Sequence, residues 1–365
     1  MTNRIRIVAE AGVNHNGSLA LALKLVDVAV AAGADVVKFQ AFQAKSLAVR
    51  SAPMADYQQR NTGTVDSQLD MLAALELPHQ ALGEIANHCH LKGIQFLATP
   101  FDEASLQFLT ADLRVAEIKI ASGELTNGPL LLSVAMTGKP VLLSTGMSTL
   151  EEVEAALGIL AFGYLGLGQR ASSDQFRAAF RSEEGRRHLR TKVTLLHCTT
   201  EYPAPFSEVN LRAMDTLAAA FGLPVGLSDH TPGSAVAIAA AARGATVIEK
   251  HFTLDRALPG PDHRASLEPG ELSSLVSGVR EVEAALGGGL KLPSEGELRN
   301  LPVARRSLVA RMPIDRGDVF SEVNICAKRP GTGLSPMMYW SLLGRRATRR
   351  YEVDAMICEE IGDDG

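Results

Sequence analysis

The chain is short of cysteine, has no excess of basic residues, and carries no apolar run long enough to cross a membrane. Its four cysteines (Cys89, Cys198, Cys326 and Cys358) are scattered over 365 residues. They show neither the close spacing of a zinc cluster nor the density of a disulfide framework, and read as reduced thiols. Lysine and arginine total 36 against 41 acidic residues, a net charge of −5. No sequence-wide positive field therefore draws the chain to nucleic acid or to an anionic membrane. The longest apolar stretches carry charges or stop well short of the ~20 residues of a membrane span. The first residues, MTNRIRIVAE, enter a strand pattern at once, which leaves no room for a signal peptide. The expectation is a cytoplasmic protein with neither nucleic acid nor membrane as partner. What is there is an ordinary globular composition, 46% hydrophobic and 21% charged.

Eight short apolar runs each end in a polar or charged residue: IRIVAE (5–10), VVKFQ (36–40), IQFLAT (94–99), AEIKIAS (116–122), PVLLST (140–145), KVTLLH (192–197), PVGLSDH (224–230) and ATVIEKH (246–251). Helical spacing marks 18–32, 150–162, 207–220, 234–243 and 269–285, with Ser18 and Ser207 as N-caps and Gly33 as the stop of the first helix. Strands alternating with helices make parallel βαβ units, and this number of them predicts an α/β fold, a closed (β/α)8 TIM barrel. The C-terminal strand ends of such a barrel surround one site. Glu10, Lys38, Gln40, Thr99, Lys119, Glu124, Ser144, His197, His230, Glu249 and His251 are therefore expected to converge.

The barrel is expected over 1–285, a linker over 286–300 (LGGGLKLPSEGELRN), and a small β-rich domain over 301–365, near the lower size limit for an independent core. Two segments break the rhythm. Residues 41–75 form a long polar connection of the kind that belongs to a barrel's active face. Residues 165–191 are charged and amphipathic, expected as an extra surface helix without chemistry.

His230 and His251 close consecutive runs, so neighbouring strands would set both imidazoles on one wall. Two histidines with open positions suit a borderline divalent ion such as Mn2+ or Zn2+, although either alone would be an ordinary strand-end residue. Lys38 and Lys119 lie inside apolar runs, where an ammonium needs an anionic partner. An anionic substrate would supply one, and so would internal salt bridges to Glu10 and Glu124. A third reading is a Schiff-base lysine. The turns ASGE (121–124), STGMST (144–149) and GLSDH (226–230) combine backbone N–H groups with Ser122, Ser144 and Ser228, a cradle for phosphate or carboxylate. Glu10 and Glu124 are acid/base candidates. Gln40, Tyr202 and Asp262 carry groups that hydrogen-bond sugar hydroxyls. His15 either serves the site or orders the first βα loop.

In order along the chain, AEAGVNHNGS, VVKFQ, ATPFD, KIASGE, LLSTGM, LHCTTEYPAPFSEVNL, GLSDHT, IEKHFTLDRALPGPDH and KRPGTGLSP closely resemble the bacterial N-acetylneuraminate (sialic acid) synthases and their legionaminate and pseudaminate relatives. The resemblance covers almost the whole chain, and the tail resembles the antifreeze-like (SAF, β-clip) domain of that family. It implies an enzyme that condenses phosphoenolpyruvate with the open-chain aldehyde of an N-acetylmannosamine-type sugar and water, releasing phosphate. It implies that His230 and His251 ligate a divalent metal, Mn2+ or else Mg2+ or Co2+. Lys38, Lys119, Ser122, Ser144 and Ser228 match the groups around phosphoenolpyruvate, with Thr99 as a further substrate-binding residue. Gln40, Tyr202 and Asp262 match groups near the sugar, and Glu10 and Glu124 the active-site carboxylates. Arg329 matches an arginine that the tail sends into the partner's site, which implies a domain-swapped homodimer.

The expected product is N-acetylneuraminate. Thr200, in CTTEYP, stands where one sialic acid branch has Asn, and this form occurs in both sialic and legionaminic branches. The alternative is therefore N,N'-diacetyllegionaminate made from 2,4-diacetamido-2,4,6-trideoxymannose. Two further readings differ in class: a Schiff-base sialic acid aldolase that needs no metal, and a carbohydrate-binding protein on a degenerate barrel. The histidine pair and the serine turns speak against the first, and intact Lys38, Lys119, Glu124, His230 and His251 against the second.

Overall fold

The computed structural model describes residues 4–63, 67–166, 168 and 170–358; residues 64–66 of the long connection, and 167 and 169 of the charged segment, lie outside the described residues. The apolar runs form β1 (Arg6–Gly12), β2 (Val36–Ala41), β3 (Gln95–Pro100), β4 (Ile118–Ile120), β5 (Val141–Ser144), β6 (Val193–Cys198), β7 (Val225–Asp229) and β8 (Val247–His251). Their ladder is parallel and runs β3-β2-β1-β8-β7-β6-β5-β4. β3 and β4, the two ends of the ladder, lie side by side and close the (β/α)8 barrel.

Alternation along each strand sorts the side chains. Ile7, Ala9, Val37, Phe39, Leu195, Leu227 and Ile248 join the core shared with the helices. Val8, Val36, Leu97, Leu142, Leu196 and Val247 form a separate buried cluster, the packed floor of the barrel interior. Gly226 belongs to this layer because there is no room for more: a Cβ there would lie 2.4 Å from Val247 O and 2.8 Å from Leu196 Cδ2.

The first helix, Leu19–Ala31, starts at Ser18, whose hydroxyl accepts from Leu21 N, and Gly33 follows its end at φ 78°. Helices Leu150–Leu165, Ala235–Ala242 and Pro269–Leu286 fall close to their expected spans. The 207–220 stretch differs. Phe206–Glu208 is a single 3-10 turn, Asn210 takes φ 48°, and the helix runs only from Ala213 to Phe221 with Arg212, not Ser207, as N-cap. A residue in the left-handed region cannot continue a right-handed helix, so the element starts after it. Segment 165–191 holds two helices rather than one, Ser173–Arg181 and Glu183–Lys192. The extended backbone of Ser182 separates them, and its hydroxyl caps the second by accepting from Gly185 N. The long connection after β2 folds into three short helices, Ala44–Leu47, Asp56–Thr62 and Gln68–Leu75. Among the described residues no helix is long and apolar enough to cross a membrane.

The chain separates into two compact units, Met1–Gly287 and Gly288–Gly365. In the second, a Ser294–Glu297 capping box starts a helix that runs Glu295–Ala304, so the irregular stretch expected over 286–300 ends early. β9 (Ser307–Ala310) and β10 (Ile325–Lys328) pair antiparallel. They cover a core of their own that includes Leu308, Ile314, Phe320, Ile325 and Tyr351.

Candidate active site

Above the apolar floor the inward positions become ionic. Glu10, Lys38, Thr99, Lys119, Ser144, Ser228 and Glu249 line a cavity of about 330 Å³ at the C-terminal ends of the strands. Lys38 Nζ lies 2.8 Å from Glu10 Oε1 and 3.7 Å from Glu249 Oε2, and donates to Thr99 Oγ1 at 3.3 Å. Lys119 Nζ lies 3.5 Å from Glu249 Oε1 and donates to Ser144 Oγ at 2.7 Å. Ser228 Oγ donates to Glu249 Oε1 at 2.8 Å. All four charged side chains are at most 4% exposed. Any one of them alone at this depth would cost several kcal/mol, so they stand only as a mutually neutralising set.

The surroundings split the four. Burial raises the Glu10 carboxyl above its ordinary range by more than Lys38 lowers it. Burial also pushes Glu249 up, but Lys119 and Lys38 outweigh it and hold its pKa at about 2. Burial disfavours the Lys38 ammonium, yet Glu10 and Glu249 raise its pKa overall, whereas for Lys119 burial wins and the pKa falls. Glu249 is thus the fixed anion, and Glu10 the carboxyl able to carry a proton. Glu10 Oε2 is buried without a hydrogen-bond partner.

β7 leads directly into His230 and β8 ends in His251, and the two ring centres are 5.3 Å apart. His230 Nδ1 is hydrogen-bonded to Thr199 O at 2.6 Å, so Nε2 is the ring nitrogen that this bond leaves over. His251 Nδ1 is buried without a hydrogen bond, 3.8 Å from Asp262 Oδ2. Burial and the neighbouring His230 hold the pKa of His251 well below the usual imidazole range, so the ring is neutral. The neutral His251 ring has a nitrogen to spare for a borderline divalent ion, whereas at His230 burial disfavours the charged ring but Cys198 and the Thr199 carbonyl raise its pKa overall. Among the described residues no group of three or more His, Cys, Asp or Glu is gathered to hold a metal. Tyr202 closes this wall, its ring centre 4.0 Å from that of His230 and 4.9 Å from that of Tyr57. Gly12 at φ 53° is required here, because a Cβ would lie 3.3 Å from Glu10 Oε1 and 3.4 Å from His251 Cε1.

Gln40, Thr99, Ser122, Ser144, Tyr202, Ser228 and Asp262 all line the cavity with the lysines, Glu10 and the histidine pair. Ser122 Oγ accepts from Gly146 N at 3.0 Å, which ties the ASGE turn to the STGM turn. Two expectations change. Glu124 is not a partner of the lysines; it sits in the 3-10 turn beyond β4, where its Oε2 accepts from Asn127 Nδ2 at 2.7 Å, and Glu249 pairs with Lys119 instead. His197 does not converge. Cys198 takes the inward place on β6, and His197 Nε2 bonds Val209 O at 2.6 Å. His15 orders the first loop, with Nδ1 accepting from Gly17 N at 3.1 Å. Arg329 belongs to the second unit, where it is exposed and its Nε donates to Ala304 O at 3.0 Å.

Sequence reasoning assigned Glu249 no chemistry, although it stands two residues before His251 and so shares its face of the strand; that parity was the available signal. Tyr57, Met71 and Leu72 also line the cavity. They come from the long connection, whose sequence has no period to aim them.

A buried set of paired charges at the C-terminal mouth, where (β/α)8 barrels hold their catalytic groups, marks the chain as a barrel enzyme. More narrowly, it belongs to the NeuB family, whose description matches residues 25–291. It is similar to the N,N'-diacetyllegionaminic acid synthase of Campylobacter jejuni, at 47% identity over 353 residues, 97% of this chain and 98% of that one. The N,N'-diacetyllegionaminic acid synthase of Legionella pneumophila is 44% identical over 343 residues, 93% of this chain and 89% of that one. Among solved structures, the N-acetylneuraminic acid (sialic acid) synthetase of Leptospira borgpetersenii in complex with citrate matches with a TM-score of 0.65 at 32% identity, over 82% of this chain and 90% of that one.

Proposed function

We propose that the chain condenses phosphoenolpyruvate with open-chain 2,4-diacetamido-2,4,6-trideoxymannose and water to give N,N'-diacetyllegionaminate and phosphate. The observation that carries the choice of sugar is the likeness, at 47% and 44% identity over nearly the whole chain, to two N,N'-diacetyllegionaminic acid synthases. It favours what the sequence alone left as the alternative to N-acetylmannosamine.

Lys119 with Ser144, and Lys38 with Thr99, supply positive charge and hydrogen bonds for the phosphate and carboxylate of phosphoenolpyruvate, replacing contacts now made by Glu249 and Glu10. Gln40, Tyr202 and Asp262 face the sugar. A divalent ion held by His230 and His251, Mn2+ or else Mg2+ or Co2+, would supply Lewis-acid polarisation of the aldehyde oxygen. The methylene carbon of phosphoenolpyruvate attacks the aldehyde carbon, forming the C–C bond, and the aldehyde oxygen takes its proton from the Glu10 carboxyl. Water adds at the electron-poor C2 and gives a proton to Glu10, whose unpartnered Oε2 and raised pKa suit it to that role. The C2–O bond to phosphorus then breaks. The C2 hydroxyl becomes the product carbonyl, and its proton leaves with the phosphate. Glu124, outside the cluster, takes no step.

The second unit is read as the antifreeze-like module of a cytoplasmic homodimer that presents Arg329 to the partner's cavity. Its support is the resemblance carried by KRPGTGLSP and the exposure of the guanidinium. Phosphate release and product mass over a panel of N-acetylmannosamine and 2,4-diacetamido sugars test the reaction. The expected result is release that depends on phosphoenolpyruvate, is abolished by a chelator and has its highest kcat/KM with the diacetamido sugar. No release with any panel sugar, or a preference for N-acetylmannosamine, overturns the assignment.

A further inference from the structure

Part of the cavity wall is apolar. Val13, Leu47, Met71, Leu72, Leu75 and Phe101 line it alongside the charged groups. Together with Phe42 they form an apolar cluster distinct from the main core. Val13, Phe42 and Leu75 are buried in it, whereas Leu47, Met71, Leu72 and Phe101 are only partly covered. Leu47 ends the helix Ala44–Leu47, and Met71 and Leu72 lie on the helix Gln68–Leu75. These helices are held from both ends of the connection: Ala44 N donates to Glu76 Oε2 at 2.8 Å, and Ser67 Oγ caps the second helix by accepting from Asp70 N at 3.1 Å.

Apolar surface left open inside a polar substrate cavity is complementary to apolar groups of a ligand. Phosphoenolpyruvate brings almost none, and the lysine end already suits it. A hexosamine with free hydroxyls at C4 and C6 would set them against leucine and methionine side chains, which offer no hydrogen bond. A sugar with a methyl at C6 and a second acetamido group brings two methyls instead. Gln58 and Gln68, which also line the cavity, offer both a donor and an acceptor to the second amide. We propose that Leu47, Met71 and Leu72 are specificity-determining residues that select a doubly N-acetylated, 6-deoxy sugar over N-acetylmannosamine. The proposal rests on the sugar assigned above and names the residues that read it.

Met71→Gln and, separately, Leu47→Asn put a polar group on the wall from two different helices. Each is expected to lower the ratio of kcat/KM for 2,4-diacetamido-2,4,6-trideoxymannose to that for N-acetylmannosamine by about tenfold, the usual scale for one methyl-sized contact. The loss should lie in the KM for the sugar, with the KM for phosphoenolpyruvate near wild type. Leu72→Met, which keeps the wall apolar, should retain the wild-type ratio. Calorimetric binding of phosphoenolpyruvate and the melting temperature identify a variant that has only lost its fold, and the variant on the other helix then decides. If the wild type prefers the diacetamido sugar but folded polar variants keep its ratio, or lose both sugars in proportion, this inference is overturned and the assigned reaction stands. If the wild type prefers N-acetylmannosamine, the assigned sugar and the inference fall together.

Discussion

Asp229 and Lys250 form an ion pair at 2.8 Å, each one residue from a histidine of the candidate metal pair, and both side chains are 1% exposed. They are register partners on β7 and β8. Strand alternation turns them away from the cavity that the histidines face. Asp229 Oδ1 accepts from Thr231 N at 2.9 Å and from Thr231 Oγ1 at 2.8 Å, and Lys250 Nζ also donates to Thr231 O. The pair clamps the turn that leaves His230 and locks the two strands at the level of the imidazoles. Removing one partner of a buried pair costs about 3–5 kcal/mol, whereas replacing both by apolar groups is often neutral. Lys250→Met should lose that much in urea unfolding, and Asp229→Leu with Lys250→Met should regain only part of it, because the buried Thr231 N–H and hydroxyl then lose their acceptor. A single variant as stable as the wild type would rule out the clamp.

His230→Ala and His251→Ala should each abolish turnover and leave the circular dichroism unchanged. Loss of a residue that only orients a metal ligand typically lowers affinity about 10–100-fold, so loss of a ligand itself should cost at least that. Equilibrium dialysis against Mn2+ reads it directly. Unchanged metal content in both variants would remove these residues from the metal.

Lys119→Met should raise the KM for phosphoenolpyruvate far more than that for the sugar. Truncating one partner of a buried, hydrogen-bonded charge pair costs roughly 2–5 kcal/mol. Lys119→Arg should rescue poorly, because a planar fork does not replace a compact ammonium against Ser144 Oγ. Borohydride trapping with pyruvate decides the competing chemistry. A covalent adduct at Lys119 would establish the Schiff-base reading in place of the one proposed.

Burial, with His263 adding to it, lowers the pKa of His15 to about 4. Its Nδ1 accepts from Gly17 N, a bond that only the neutral ring can make. The unfolded chain, near 6.5, binds the proton first as the pH falls. The stability that His15 contributes is therefore present above about pH 6.5 and lost towards pH 4, by about 3 kcal/mol in all. The difference in unfolding free energy between wild type and His15→Gln should shrink by that amount between pH 7 and pH 4. A difference that does not change with pH would contradict the assignment.

An Arg329→Ala subunit mixed with a Lys119→Met subunit tests the proposed exchange of tails. In a swapped heterodimer one site collects both defects and the other has neither, so activity should partly return. Heterodimers shown by mass to have formed, yet inactive, would mean that the tail serves its own barrel or none.

The barrel was legible because its strands are short, apolar and closed by polar residues, a pattern set by burial on both faces. Glu10 beside Lys38 was legible for the same reason: opposite charges buried at matched ends of neighbouring strands need each other. Where alternation stops, legibility stops. Glu124 follows Lys119 by five residues, but the backbone has already left β4 for a 3-10 turn, and the carboxylate faces Asn127. Glu249, still on its strand, keeps its parity and takes the place expected of Glu124. The late start of the helix at Ala213 depends on one residue, Asn210, in the left-handed region, which no hydrophobic period reports. The wall built by Leu47, Met71 and Leu72 depends on Val13 and Phe101, which lie on other loops.

Because Glu10 and Glu249 already occupy Lys38 and Lys119, the cavity at rest is close to electrically silent. Each of these two lysines already has a carboxylate beside its ammonium. In the proposed reaction phosphoenolpyruvate has to take both ammonium groups from carboxylates that already hold them. The resting salt bridges are therefore built-in competitors for the anionic substrate proposed above.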